Sequence, residues 1–179
     1  LVLLFTKGTH SAAAIQSVEH IAKPGTVALT LQNGIGNADL LAATFGADNV
    51  LMGTAHVPAD FTGRAGVVTH GFGFLELGGF TAGAQQYAEP VGALLDRAGF
   101  KAKIASDANH AVWEKVAFNA ALNAMAMICG AANAGMDNEP GRRIAAKVVD
   151  ETVAVASAKG IELDRGHILA TIDAALREH

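Results

Sequence analysis

The chain has 179 residues, 51% of them apolar and 17% charged, which is enough for a buried core and too apolar for a disordered segment. Its formal charge of −4, with no basic run longer than Arg142-Arg143, excludes the basic face that a nucleic-acid partner requires. One cysteine, Cys129, excludes an internal disulfide framework and a cysteine-based zinc site, and the apolar run at residues 1–5 is too short for a signal or membrane segment.

Residues 1–6 read as a buried strand, the kind found inside parallel sheets with neighbours on both sides. The sequence has no initiator Met and begins within that pattern, so a further N-terminal part is expected. Lys7-Gly8-Thr9-His10 leads into a helix predicted over 11–22, with Ser11 as its N-cap. Pro24-Gly25 interrupts the chain before a β-rich run over 26–31. Asn33-Gly34-Ile35-Gly36-Asn37 then forms a loop ahead of a short helix over 38–45, and a third strand is predicted over 49–57. Short strands over 66–70 and 74–77, separated by glycines, suggest antiparallel hairpins. A helix over 85–98, ended by Gly99, and a strand over 101–105 complete this half.

From Ser106 onward no strand pattern remains. Residues 107–129 read as a long apolar helix carrying Trp113, with Cys129 packed near its end. Asn138-Glu139-Pro140 opens another helix, and Gly160 lies beyond its end. Ile144, Val148, Val149, Thr152, Val153 and Val155 give that helix a broad apolar face. The face could pack within the monomer or against a second copy, which leaves a homodimer open. Asp164 starts a last helix that runs to the terminus. The expected fold is α/β followed by all-α: a doubly wound layer with an antiparallel annex over 1–106, then a helical part over 107–179.

Lys115, Asn119 and Asn123 are spaced i, i+4 and i+8 on the long helix, so they fall in a stripe ~80° wide and ~12 Å long. Such a stripe can simply be the solvated face of an amphipathic helix. Asparagine is nevertheless a mediocre helix former, and solvent faces are usually filled with Glu, Lys, Gln and Arg. Chemically the set suits carbonyl reduction: an ammonium can stabilise the oxyanion left by hydride and donate its proton, while Asn amides hold a carboxylate or hydroxyl without adding charge. Partial desolvation would lower the pKa of Lys115 and help it act as an acid near neutrality.

The 33–37 loop follows a strand and precedes a helix, where α/β layers bind ligands. It is not the dinucleotide fingerprint, because the third glycine would fall at Asp39, and a tight strand-to-helix turn is the alternative. Lys7 ends the first strand on the same edge and could equally be a surface residue. The seven histidines have no metal-binding spacing, and no nucleophile elbow or phosphate-binding lysine loop occurs.

Leu3-Leu4-Phe5-Thr6-Lys7, Leu31-Gln32-Asn33-Gly34-Ile35-Gly36, Leu51-Met52-Gly53-Thr54 and the run from Trp113 to Asn123 together resemble the ketopantoate reductase family. The last stretch, Trp-x-Lys-x-x-x-Asn-x-x-x-Asn, is the most specific, and the resemblance spans essentially the whole chain in order. It implies a Rossmann-type domain followed by a helical substrate domain, and NADPH-dependent reduction of 2-dehydropantoate to pantoate, a step toward coenzyme A, in the cytoplasm. It also implies Lys115 as general acid, Asn119, Asn123 and Asn133 as substrate-binding residues, and Lys7, Asn33 and the backbone of Ala59 as contacts of NADP. The family's Gly-x-Gly-x-x-Gly loop and its later Ser- and Glu-bearing helical segment lie outside this sequence, so the chain is expected to hold part of each site and to be inactive by itself. Reduction of another small 2-oxoacid, and a non-catalytic interaction domain on a degraded reductase fold, are the alternatives.

Overall fold

A computed structural model of the chain describes residues 1–69, 71, 73–130 and 133–177. Two compact units form, Leu1–Val112 and Trp113–His179. In the first, three apolar runs become parallel strands β1 (Val2–Leu4), β2 (Ala28–Thr30) and β3 (Val50–His56). Helices α1 (Ser11–Val18) and α2 (Asn37–Phe45) carry the chain back between them, as parallel pairing demands. An exposed two-stranded ribbon follows, β4 (Ala59–Phe61) with β5 (Val67–Thr69), and then β6 (Phe74–Gly79), α3 (Ala88–Arg97) and β7 (Lys101–Ile104). The main sheet has the order β1-β2-β3-β6-β7, with β6 antiparallel to β3 and parallel to β7.

One close approach makes that order possible. A Cβ on Gly53 would lie 1.9 Å from the carbonyl oxygen of Glu76, so only glycine lets β3 and β6 meet there. Leu29, Leu31, Leu51, Leu75 and Leu77 then pack with Ala84, Ala88, Val91 and Leu95 as one core. Each such leucine contributes about 1.5–3 kcal/mol by its burial.

The architecture is α/β followed by all-α, as expected, while some local readings are corrected. Within this sequence β1 pairs with β2, and Leu4 is buried between the sheet and its helices. The 74–77 strand is not part of an annex: β6 joins the main sheet, and the annex is the β4–β5 ribbon, whose first strand has no clear sequence pattern. The expected strand over 66–70 is β5, with His70 outside the described residues. Ser11 does not cap α1. A 3-10 turn at Gly8–His10 precedes it, His10 is the N-cap, and Ser11 is fully buried with its hydroxyl turned to other partners.

The second unit is built on α4 (Ala108–Cys129), which begins in the first unit and whose first turn is capped where Asp107 Oδ1 accepts from the His110 amide at 3.1 Å. A 3-10 turn (Asn133–Met136), α5 (Glu139–Ser157) and α6 (Arg165–Arg177) follow, and residues 178 and 179 lie outside the described residues. Asn138 caps α5 by accepting from the Gly141 amide at 2.9 Å, and Asp164 caps α6 by accepting from His167 at 3.0 Å. Ala117, Ala121, Leu122, Met136, Ala145, Val149, Ile168, Ile172 and Leu176 form its core. The buried line of α5 is Gly141, Ala145, Val149 and Ala156, so Ile144 and Val155, expected on the apolar face, are instead 46% and 52% exposed. Those two residues lie off the 3.6-residue stripe that meets the core. Cys129 is likewise exposed rather than packed, because Met127, Ile128 and Cys129 lie past the last turn of α4 that meets the core. Among the described residues, no helix is long and apolar enough to cross a membrane.

Candidate functional site

β1, β2 and β3 run parallel, so their C-terminal ends share one edge of the sheet, the edge at which α/β layers bind ligands. Lys7 lies three positions beyond Leu4, Asn33 lies three beyond Thr30, and Leu4 pairs with Thr30. The two residues therefore occupy neighbouring loops at matching heights, both exposed. β3 extends four residues past Met52, the partner of Thr30, so Ala59 begins the exposed β4 farther along the chain's exit from that edge. The 33–37 turn needs a left-handed residue ahead of α2, supplied by Gly36 at φ +87°, and the space where its Cβ would project is open.

Beneath these loops lies a polar network that the sequence reading left without a role. The Gln32 side chain donates from Nε2 to the Thr6 carbonyl and, at 3.0 Å, to the Ser11 hydroxyl. Its Oε1 accepts from Thr30 Oγ1 at 3.0 Å. The Ser11 hydroxyl also lies 3.5 Å from Asn37 Oδ1, and Asn37 Nδ2 donates to the Asn33 carbonyl at 3.4 Å. Ser11, Thr30 and Asn37 are buried, and with Thr54 they are the buried polar side chains among the described residues. Buried polar groups persist where they are hydrogen-bonded, and here Ser11 and Thr30 bond one glutamine while Asn37 bonds Ser11. The sequence signal, visible in retrospect, is short polar residues at the junctions 6–11 and 30–37, where strands hand over to helices.

On α4, Lys115 and Asn119 are half-buried and Asn123 is exposed. Helix geometry explains the gradient. At ~100° per residue, Ala117, Ala121, Met125, Phe118 and Leu122 cover an arc whose edge lies beside Lys115, while Asn119 and Asn123 step away from it by ~40° each. The stripe thus occupies the shoulder of the packed face and is not a fully solvated one. Asn123 Nδ2 donates to Asn119 Oδ1 at 3.2 Å, which turns the two amides toward each other. Burial pushes the Lys115 ammonium below the ordinary lysine pKa, the direction expected when a charge loses water. Asn133 is half-buried and opens the 3-10 turn that follows the helix.

Two features lie apart from these residues. Among the described residues, no group of three or more His, Cys, Asp or Glu side chains could hold a metal ion. His56 instead stacks on Phe74 at 4.4 Å between centroids, and Lys103 Nζ lies 3.9 Å from the same ring. A shallow cavity lined by Val57, Thr69, Gly71, Gly73, Ala98, Gly99 and Phe100 touches none of the candidate residues.

Comparison with known proteins covers both units. Residues 1–82 match the model of "Ketopantoate reductase PanE/ApbA", and residues 107–179 match that of "Ketopantoate reductase PanE/ApbA C terminal". The chain is 33% identical over 165 residues to a 2-dehydropantoate 2-reductase of Halobacterium salinarum, covering 91% of this chain and 54% of that protein. A 2-dehydropantoate 2-reductase of Lactococcus lactis is 24% identical, with 97% and 56% covered. The chain thus spans about half the length of these curated relatives. Among solved structures, a 2-dehydropantoate 2-reductase from Geobacter metallireducens superposes with a TM-score of 0.87 at 27% identity, covering 99% of this chain and 61% of that one. A D-mandelate dehydrogenase solved with NADH and anilino(oxo)acetate shares the fold with a TM-score of 0.92 at 24% identity, covering 98% of this chain and 57% of that one.

Proposed function

The chain belongs to the ketopantoate reductase family, and from that premise we propose that the whole protein reduces 2-dehydropantoate to pantoate with NADPH. The observation that carries this reading is the half-buried Lys115, its pKa lowered by desolvation, at the head of a helix stripe shared with Asn119 and Asn123. In this proposal residues 1–106 are an incomplete NADP-binding domain and residues 107–179 part of the substrate domain.

The sheet edge fits a dinucleotide. Lys7 offers an ammonium to phosphate, Asn33 an amide to a ribose or amide group, and the open turn at Gly34 and Gly36 admits close approach of a ligand to backbone N–H groups. The backbone of Ala59 would line the same ligand. When bound, the nicotinamide supplies a hydride to the keto carbon. Lys115 donates its proton to the carbonyl oxygen as negative charge develops there, and its cationic form stabilises that charge beforehand. Desolvation serves both tasks, since it strengthens the electrostatic interaction and brings the ammonium closer to the pH at which it gives up a proton. Asn119, Asn123 and Asn133 are assigned to the carboxylate and hydroxyl groups of the substrate, which amides bind without competing for the proton.

The test is Lys115→Ala in the whole protein. Its kcat with 2-dehydropantoate should fall by ~10²–10⁴-fold, the range of general acid catalysis, while the dinucleotide KM stays within about twofold. A kcat within about threefold of the parent would end the general-acid assignment. A second reading, reduction of another small 2-oxoacid, uses the same residues in the same roles. It gains support from the D-mandelate dehydrogenase, whose fold this chain shares and which was solved with an oxoacetate. A panel of 2-oxoacids ranked by kcat/KM separates the two readings. Absence of any NADPH binding would favour a non-catalytic domain.

A further inference from the structure

We propose that Gln32 is a positioning residue that locks the Lys7 and Asn33 loops into one arrangement, and so sets the affinity of the sheet edge for a dinucleotide. The inference rests on the assignment of Lys7 and Asn33 to the cofactor made above.

The geometry is a closed ring. Gln32 Nε2 donates to the Thr6 carbonyl, and that carbonyl belongs to the same planar peptide unit as the Lys7 amide. Fixing the carbonyl fixes the direction in which the chain enters Lys7. Gln32 is also the residue immediately before Asn33, and its own amide donates to Thr30 Oγ1 at 3.3 Å. One side chain therefore joins the residue before Lys7 to the residue before Asn33, across a separation of 26 in sequence. Ser11 closes the ring on its buried side, between Gln32 and Asn37, and Asn37 returns to the Asn33 carbonyl. Lys7 itself is held on the other side, where its carbonyl accepts from the His10 amide at 2.8 Å.

Apart from the Ser11–Asn37 contact at the helix starts, the side-chain links between the two loops run through Gln32. Lys7 and Asn33 are exposed, and among the described residues no backbone hydrogen bond joins residues 5–10 to residues 31–37. The β1–β2 pairing ends at Leu4 and Thr30, before either loop begins. The register of the two candidate contacts therefore depends on side chains, and Gln32, itself in one loop, bonds the backbone of the other. Asparagine would be one methylene too short to make the same bridge, and Leu or Glu would keep the size while removing the donor.

The experiment compares Gln32→Leu and Gln32→Glu in the whole protein, with Lys7→Ala and Asn33→Ala as references. Both Gln32 variants should raise the dinucleotide KM about tenfold, the effect of one lost well-placed hydrogen bond. The kcat at saturating dinucleotide and the 2-oxoacid KM should stay within about twofold, since α4 carries the proton donor. Placed in the Lys7→Ala background, Gln32→Leu should raise the KM less than about twofold further, because a residue acting through Lys7 has little left to act on. Full additivity in that background, or a lower melting temperature with unchanged KM, would overturn the proposal and leave Gln32 a purely structural residue. If Lys7→Ala and Asn33→Ala both leave the dinucleotide KM unchanged, the cofactor assignment itself fails and the inference with it. If they raise it and the Gln32 variants do not, the inference alone falls.

Discussion

At the sheet edge, Lys7 and Asn33 sit on loops tied together by side-chain hydrogen bonds, whereas Lys115, Asn119 and Asn123 are carried by one helix whose backbone alone spaces them. The first arrangement needs Ser11, Thr30, Gln32 and Asn37, drawn from one strand end, one loop and two helices. The second needs only that α4 stay helical and that Ala117, Ala121 and Leu122 hold its other side in the core. A periodic scaffold positions polar groups through local geometry, and an aperiodic one does so through buried partners. The two regions should therefore fail in different ways.

The largest expected effect comes from breaking the helix. Ala120→Pro lies between Asn119 and Asn123 and removes a backbone donor while its ring meets the preceding turn, which costs about 3 kcal/mol or more. Urea unfolding should show the loss, and amide exchange should locate it in residues 113–130 while β2 and β3 keep their protection. Uniform loss of protection through the sheet as well would mean that the stripe depends on more than its own helix.

This difference also explains what could be read from the sequence. The stripe was legible because a helix repeats, so Lys115, Asn119 and Asn123 declare one face from spacing alone. Lys7 and Asn33 were legible only as strand-end residues, since strand order and register follow from hydrophobic runs. Gln32 was not legible as a bridge: its partners Thr6 and Ser11 are 26 and 21 residues away, and no periodicity links positions across loops. The same limit hid β4, a short exposed strand without alternation, and the entry of β6 into the main sheet, which depends on Gly53 admitting the Glu76 backbone. Exposure of Cys129 is hidden for a related reason. Apolar character predicts burial only where a neighbour exists, and Cys129 lies beyond the packed turns of α4.

A smaller effect tests the sheet-edge side of the comparison. Ser11→Ala removes the hydroxyl between Gln32 and Asn37 and leaves one Gln32 N–H without its acceptor, at a cost of about 1–3 kcal/mol. The first unit should lose stability in urea, with faster amide exchange over residues 6–11 and 32–37. A change below about 0.5 kcal/mol would show that the ring is held by Thr6 and Thr30 alone.

The smallest effect separates the two regions by sign. Removing a polar group from the sheet-edge network should destabilise, but removing the charge of Lys115 should stabilise, because that ammonium is half-buried on the shoulder of a packed face. Lys115→Met keeps the unbranched shape of the side chain, one atom shorter, and should raise the melting temperature by roughly 1–2 °C at neutral pH. Burial lowers the lysine pKa, so between that lowered value and the ordinary one the unfolded chain binds more protons than the folded chain. The stability of the parent therefore rises with pH across that window, and the advantage of Lys115→Met should shrink there and vanish once lysine is neutral in both states. Melting curves of the two proteins from neutral pH to about pH 11 check this, and a gap that stays constant across the range would mean that packing by methionine, rather than desolvation of the ammonium, sets the difference.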